Sequence, residues 1–250
     1  MNGLDLFSGI GGIGLALEPW VRTVAYCERE LYAQGVLLSR MQSGEIDIAP
    51  IWDDVTTLRG EMLPKIDIIF GGFPCQDLSI AKQNRKGLDG QRSGLFFEIV
   101  RLAKECNPRF VFLENVPAIR TAGAETVVKE LASIGYDCRW TTLSAASVGA
   151  PHKRERWFLL AYSKRQRFSE RPYESSHCSN WGTPNQSCDS SKTSRIMAER
   201  SRLTRDYWAI KSNILRMAHG IPDRAHRIKC LGNSVVPLQV QTAFKKLMGI

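Results

Sequence analysis

The sequence lacks the signals that direct a chain into a membrane or an oxidising compartment. No apolar run reaches the roughly 18–20 residues that a membrane-spanning helix needs. The first residues, MNGLDLFSGIGG, contain neither the basic region nor the apolar run of a secretion signal. We therefore expect a cytoplasmic protein with no membrane attachment.

The cysteines also lack the spacing of a disulfide framework or a structural zinc site. There are seven of them, an odd number, and no two are arranged as C-x-x-C. They are Cys27, Cys75, Cys106, Cys138, Cys178, Cys188 and Cys230. Free thiols in a reducing compartment are the better interpretation, and we predict no bound metal.

Acidic residues are few relative to basic ones, which favours an anionic partner. The formal net charge is +9 and the isoelectric point is about 9.3. Residues 163–206 hold nine Lys and Arg against five Asp and Glu, and Phe168, Tyr173 and Trp181 are interleaved with them. This composition suits a nucleic-acid surface, although a disordered linker is the alternative.

Short apolar segments alternate with helical patterns over residues 2–162. The predicted strands are GLDLF (3–7), TVAYCE (23–28), IDIIF (66–70), FVFLE (110–114), DCRWTTL (137–143) and WFLLAY (157–162). The predicted helices lie near 12–18, 30–42, 95–105 and 124–134, with a closing helix over 237–248 that begins at a proline. Apolar strands that alternate with helices indicate an α/β fold with a mostly parallel sheet.

A glycine-rich loop follows the first predicted strand. DLFSGIGGIG (5–14) contains a G-x-G-x-x-G pattern that begins at Gly9, and Glu28 lies nineteen residues beyond Gly9. In a dinucleotide-binding unit, such glycines let the backbone approach the ligand and the carboxylate binds ribose hydroxyls. Asp53 and Asp54 follow a third strand, where they form either an adenine contact or a solvated turn. The pattern indicates a nucleoside cofactor without distinguishing NAD, FAD and S-adenosylmethionine.

Three other predicted strands adjoin chemically active side chains. GGFPCQDLS (71–79) leaves its strand through two glycines and a proline, a turn that would hold Cys75 at the cofactor edge of the sheet. Glu114 ends another strand, and Arg154 and Arg156 precede a third, two residues apart and so on one face. The alternatives are that Cys75 is a core thiol, that Glu114 caps a helix and that the two arginines lie on a solvated edge. Beside a nucleoside pocket, a catalytic constellation is favoured.

These groups match the needs of cytosine C5 chemistry. A thiolate that adds at C6 converts the ring to an enamine, which can attack a methyl group through C5. A carboxylic acid at N3 assists this addition, and arginine can hold the ring oxygen. A stacked base cannot react, so it must be flipped out of the duplex.

In order and approximate spacing, DLFSGIGG, GGFPCQDLS, ENV, HKRERWF and GNSVVP resemble the motifs of the DNA (cytosine-5)-methyltransferases, most of all a phage or bacterial subset. The resemblance covers about 1–162 and 207–250. It implies a Rossmann-like methyltransferase fold, methylation of cytosine in double-stranded DNA, and the cytoplasm of a bacterial or phage-infected cell. One departure is His152, which stands where many members have glutamine.

The resemblance also implies roles for individual residues. Cys75 would be the nucleophile, Glu114 would contact N3 and the amino group of the flipped cytosine, and Arg156, with Arg154 nearby, would support that contact. The implied S-adenosylmethionine contacts are Phe7, Gly9, Gly11, Gly12, Glu28, Asp54, Asn233 and Val235. The implied DNA contacts are Gln76, Ser79, Lys82, Arg85, Lys86 and Arg92, most of them in a loop (80–99) that resembles the one closing over DNA.

We predict a discontinuous catalytic domain, residues 1–162 and 228–250, and a small irregular target-recognition region, residues 163–227. The target sequence and the oligomeric state, with a monomer as the default, stay open. Whether a cognate restriction endonuclease is a partner, or the enzyme works alone, is open too.

Two other functions remain possible on the sequence alone. A nicotinamide-dependent oxidoreductase would explain the glycine loop and Glu28 but would leave Cys75 and the basic segment without a role. A DNA-binding protein that has lost catalysis would have no use for Cys75 and Glu114. A zinc-dependent cytidine deaminase is excluded, because Pro74-Cys75 is not followed by the second cysteine of P-C-x-x-C.

Overall fold

The apolar segments of the sequence form one seven-stranded sheet. The structure, a computed structural model, describes residues 1–74, 94–164 and 224–250. Its strands are β1 (Asn2–Leu6), β2 (Arg22–Cys27), β3 (Ile51–Trp52), β4 (Ile68–Gly72), β5 (Phe110–Asn115), β6 (Tyr136–Ser144) and β7 (Glu155–Ser163). They lie in the order β3-β2-β1-β4-β5-β7-β6, and the first five in this order are parallel. Only β7 runs in the opposite direction, antiparallel to both of its neighbours. The sheet of the described residues is therefore mostly parallel, and this prediction is confirmed.

Seven α-helices surround the sheet in the described ranges. They are α1 (Gly12–Leu17), α2 (Leu31–Gln42), α3 (Leu95–Cys106), α4 (Ile119–Ala122), α5 (Ala124–Ser133), α6 (Arg224–Asn233) and α7 (Pro237–Met248). The four predicted helices and the closing helix are all present. The sequence did not predict α6, whose residues from 225 on are exposed or half-buried, so that no apolar stripe marks it. None of the helices in these ranges is long and apolar enough to cross a membrane.

Helices cover both faces of the sheet. Successive strand residues point to opposite sides, and apolar residues on each side pack against helices. Ile69 packs with the residues of α3 and α5, whereas its neighbour Phe70 packs with those of α1 and α7. Phe244 of α7 is fully buried, and its ring lies edge-on to Phe112 with 5.3 Å between the centroids. The closing helix therefore shares one core with residues of the ranges 1–74 and 94–164.

Gly71 allows β4 to pass β1 at a distance that no side chain permits. A Cβ atom at this position would lie 2.0 Å from the carbonyl oxygen of Leu6, which is backbone and cannot rotate away. We expect Gly71→Ala to destabilise the protein by about 3 kcal/mol or more, lowering the melting temperature by roughly 6–12 °C. Thermal unfolding followed by circular dichroism measures this.

Gly35 provides the matched control for that substitution. It lies exposed in α2, and no atom stands within 4 Å of the Cβ that alanine would add. Gly35→Ala should leave the melting temperature equal or slightly higher, since alanine is the better helix former. Equal melting temperatures for both variants would contradict the steric account of Gly71.

Candidate active site

The carboxyl ends of the parallel strands border a cavity of about 900 Å³. Parallel strands all end at one edge of a sheet, so the residues that directly follow β1 to β5 meet there. Arg156 of β7 and residues of α6 complete the walls. Of the predicted site residues in the described ranges, the cavity is lined by Phe7, Gly9, Gly12, Glu28, Asp54, Glu114, Arg156, Asn233 and Val235.

The glycine loop turns sharply after β1 and forms one wall of this cavity. Phe7, Gly9 and Gly11 all have positive φ, at 55°, 54° and 79°. A Cβ at Gly12 would lie 3.1 Å from the Val235 side chain, so the loop packs closely against the C-terminal segment. Gly11 faces away from the cavity, because its Cβ would meet Leu37 of α2. The structure therefore gives Gly11 a turn-forming position behind the cavity wall.

Glu28 is buried with its carboxylate held by backbone amides. The amide of Gly9 donates to Oε2 at 2.7 Å, and the amide of Glu30 donates to Oε1 at 2.8 Å. Gln34 donates to the Glu28 carbonyl at 2.6 Å. The nineteen-residue spacing thus corresponds to a direct contact between the glycine loop and the carboxylate.

Asp53 and Asp54 both line the cavity, but they differ in exposure and in the hydrogen bonds that are described for their carboxylates. The backbone amide and the hydroxyl of Thr56 donate to Oδ1 of Asp54, at 2.9 and 2.8 Å. These bonds hold the pKa of Asp54 below its usual value, so its carboxylate is charged and oriented. Asp53 is the more exposed of the two. Because its carboxylate is held in a fixed orientation, Asp54 is favoured as the ligand-binding residue of the pair.

The residues that line the cavity fit S-adenosylmethionine in their chemistry. The glycine loop offers backbone close to the ligand, Glu28 offers an oriented carboxylate of the kind that binds ribose hydroxyls, and Asp54 offers an acceptor for an amino group. Among the residues described, no cluster of three or more His, Cys, Asp and Glu side chains could hold a metal ion.

Buried Glu114 and half-buried Arg156 form an ion pair at the cavity edge. Nε of Arg156 lies 2.6 Å from Oε1 of Glu114, and their side chains are 15% and 10% exposed. A Cβ on Gly72 would stand 2.7 Å from Oε2 of Glu114, so glycine is needed for the carboxylate to lie over β4. Burial raises the pKa of Glu114 to about 7, although Arg156 acts to lower it. Glu114 can therefore hold or release a proton near neutral pH.

Asn115 holds the turn that leads to Cys75, a role that the sequence did not predict. Its side-chain amide donates to the carbonyl of Phe73 at 2.9 Å, and its side-chain oxygen accepts from the amide of Val116 at 2.8 Å. The only signal for it in the sequence was an asparagine at the end of an apolar run.

Arg154 does not contact Glu114, unlike Arg156 two residues later. Its guanidinium nitrogen Nη2 donates to the carbonyls of Gly232 and Ser234 at the end of α6. Arg154 is absent from the lining of the cavity. The structure thus separates the two arginines that the sequence pattern grouped together.

Helix α6 forms part of the cavity wall and contacts Tyr32 of α2 and Glu30, which precedes α2. His226 stacks on Tyr32 with 5.4 Å between the ring centroids, and Lys229 lies 2.9 Å from Glu30. Both pairs border the cavity. The predicted domain boundary between residues 227 and 228 falls inside this helix.

Several predicted residues lie outside the described ranges. They are Cys75 and the implied DNA contacts Gln76, Ser79, Lys82, Arg85, Lys86 and Arg92. Most of the loop over 80–99 and most of the target-recognition region over 163–227 also lie outside them. Roles for these residues stay predictions.

Replacing Arg156 should shift the pH dependence of the reaction that Glu114 assists. If Glu114 must be protonated to act, kcat/KM falls on the alkaline side as the pH rises through about 7. Arg156→Gln removes the cation that lowers the pKa of Glu114, so this alkaline limb should move to higher pH, with a rate at the optimum about 10–100-fold lower. The profile is measured from about pH 5.5 to 9.5.

Arg22→Gln, at the exposed start of β2, is the control and should leave the profile unchanged. An alkaline limb that stays in place or moves to lower pH in Arg156→Gln would contradict the assignment of this limb to Glu114.

Comparisons with known proteins identify relatives for most of the chain. Residues 1–223 match the family described as C-5 cytosine-specific DNA methylase. Type II methyltransferase M.CviJI of Paramecium bursaria Chlorella virus IL3A is 40% identical over 163 residues, 64% of this chain and 43% of that protein. Type II methyltransferase M.HhaI of Haemophilus parahaemolyticus is 35% identical over 164 residues, 64% of this chain and 48% of that protein.

Solved structures share the fold. One is described as a DNA modification methyltransferase encoded within an E. coli prophage, with a TM-score of 0.53 and 27% identity over 66% of this chain and 47% of that chain. The chain spans less than half the length of these two curated relatives and of this solved structure.

Proposed function

Since the chain belongs to the C-5 cytosine-specific DNA methylase family, we propose that it transfers a methyl group from S-adenosylmethionine to C5 of a cytosine in double-stranded DNA. The observation that carries the proposal is the ion pair between buried Glu114 and half-buried Arg156, with Nε and Oε1 2.6 Å apart. It stands at the edge of a cavity suited to a nucleoside cofactor, beside the turn that leads to Cys75.

Cys75 is the proposed nucleophile. Its thiolate forms a bond to C6 of a flipped-out cytosine while Glu114 gives a proton to N3, and the electron pair of the C5–C6 double bond becomes available at C5. Once C5 carries the methyl group, loss of its proton to a base and expulsion of the thiolate restore the ring, and N3 returns its proton to Glu114. Arg156 holds the Glu114 carboxyl and stabilises charge that develops on the ring.

The cofactor is held on the opposite side of the same cavity. When bound, S-adenosylmethionine supplies an electrophilic methyl group. We assign its binding to Phe7, Gly9, Gly12, Glu28, Asp54, Asn233 and Val235, all of which line the cavity. Glu28, fixed by two backbone amides, binds the ribose, and Asp54 binds the adenine amino group.

The substrate is proposed to be duplex DNA with the target base flipped out, because C6 of a stacked cytosine is out of reach. The net charge of +9 favours this partner, and the basic residues of the loop over 80–99 suit phosphate contacts. The Type II names of the relatives make a cognate restriction endonuclease a candidate partner. We propose a monomer in the cytoplasm of a bacterial or phage-infected cell.

The proposed function is tested by identifying the base that receives the methyl group. The protein is incubated with methyl-labelled S-adenosylmethionine and unmethylated duplex DNA, and the DNA is then hydrolysed to its bases. Label in 5-methylcytosine is the expected result, and the modified positions give the target sequence. Label in N4-methylcytosine or N6-methyladenine, or no label on DNA from several sources, would contradict the proposal.

A further inference from the structure

Arg154 and Arg156 send their side chains to different parts of the molecule. Nε of Arg156 contacts Glu114, whereas Nη2 of Arg154 donates to the carbonyl of Gly232 at 2.7 Å and to that of Ser234. The guanidinium of Arg154 is thus bound to two backbone carbonyls and makes no ion pair with Glu114, on which it acts only through its charge at longer range. Its contacts fix the position of the chain between α6 and α7.

The backbone of Arg154 is held by the same C-terminal region that its side chain holds. Its φ of 27° is positive, a conformation that a non-glycine residue adopts at a cost. Gln239 of α7 is fully buried, and its side-chain amide donates to the carbonyls of Arg154 and Leu143, at 2.9 Å each. Arg154 is therefore tied to the C-terminal segment at both its main chain and its side chain.

The segment that Arg154 holds is a wall of the cofactor cavity. Asn233, Ser234 and Val235 all line the cavity, and the side chain of Val235 lies against Gly12 of the glycine loop. The contacts of α6 with Tyr32 of α2 and with Glu30, which precedes α2, are the His226 ring stack and the Lys229 ion pair. They lie at the surface, where ion pairs add little. The bond from Arg154 to the carbonyl of Ser234 is partly buried, and it is therefore a more protected anchor of this wall than the exposed Lys229–Glu30 pair.

We propose that Arg154 is a positioning residue for S-adenosylmethionine rather than a catalytic residue: its guanidinium fixes the wall formed by residues 233–235 against the glycine loop. Arg154 sets the affinity for the cofactor, while Arg156, two residues away, acts on the cytosine through Glu114. The cofactor identity rests on the proposed function, but the anchoring of the wall does not.

Arg154→Gln separates anchoring from catalysis. Hydrogen–deuterium exchange should become about tenfold faster or more in residues 232–236 of the full-length protein, because the charged hydrogen bonds to the two carbonyls are lost. Calorimetry should give a dissociation constant for S-adenosylmethionine raised by about tenfold or more. KM for this cofactor should rise accordingly, while kcat at saturating cofactor falls less than about threefold.

Two further variants make the test specific. Arg154→Lys keeps the charge and can bond one carbonyl, so it should have intermediate exchange and affinity, and it carries the test if Arg154→Gln does not fold. Arg156→Gln should show the reverse pattern, with kcat reduced and both the exchange of 232–236 and the cofactor affinity near wild type.

Unchanged exchange in Arg154→Gln would overturn the inference while leaving the proposed function intact. A loss of kcat with unchanged cofactor affinity would overturn it as well and return Arg154 to the catalytic group. Failure of the wild-type protein to bind S-adenosylmethionine would instead overturn the proposed function, and the cofactor role of Arg154 with it.

Discussion

Methyl transfer should be abolished when Cys75 is replaced with alanine, because no other group in the proposed mechanism can form the bond to C6. Without that bond, C5 of cytosine stays a poor nucleophile. We expect the rate of label transfer to fall to background, by about 10⁴-fold or more. The measurement is transfer of labelled methyl groups to duplex DNA by wild type and variant at equal protein concentration.

Two controls separate lost chemistry from lost structure. Cys75→Ala should keep the wild-type melting temperature and bind duplex DNA and S-adenosylmethionine, since the thiol is assigned a chemical role only. Cys75→Ser should also be inactive, because a hydroxyl is far less ionised than a thiol at neutral pH. Full activity in Cys75→Ala would refute the assignment of the nucleophile.

Glu114→Gln should give the second largest loss, about 10²–10⁴-fold in kcat/KM, the usual contribution of a general acid. Glutamine keeps the shape of the side chain beside Gly72 and Arg156 but has no carboxyl proton to give to N3. The alkaline limb near pH 7 should also vanish from the pH profile, since the group that titrates there is gone. Steady-state methyl transfer across the pH range measures both effects.

Glu125→Gln is the matched control, because Glu125 is an exposed glutamate in the first turn of α5. It should have wild-type activity and the wild-type pH profile. An active Glu114→Gln variant with its alkaline limb intact would show that another group protonates the base.

The sheet could be predicted from the sequence because its strands are short apolar runs bounded by turns. Strand residues such as Ile69 and Phe70 are buried on both faces, so the runs are continuous rather than alternating, as in parallel sheets. The cavity followed from the same pattern, since polar residues after parallel strands gather at one edge. The spacing of Gly9 and Glu28 alone predicted that both belong to one nucleoside-binding unit. In the structure the amide of Gly9 donates a hydrogen bond to Glu28.

Other features depend on tertiary contacts that local patterns do not encode. Helix α6 has no buried stripe, and its contacts include pairs such as Lys229 with Glu30, which is 199 residues away in sequence. The different destinations of Arg154 and Arg156 depend on the positive φ of Arg154 and on carbonyls nearly 80 residues away. Residues two apart on a strand share a face only where the backbone is regular, and Arg154 lies just before β7 begins.

The central claim, that Cys75 attacks C6 of cytosine in DNA, is tested most directly by trapping the bond. In duplex DNA with 5-fluorocytosine at the target position, the C5 fluorine cannot leave as the proton does, so the thioether at C6 should persist after methyl transfer. We predict a covalent protein–DNA complex that survives denaturation, with the nucleotide on the tryptic peptide of residues 66–82, in which Cys75 is the single cysteine. Formation of 5-methylcytosine on ordinary DNA together with no adduct, or with an adduct on another peptide, would contradict the account.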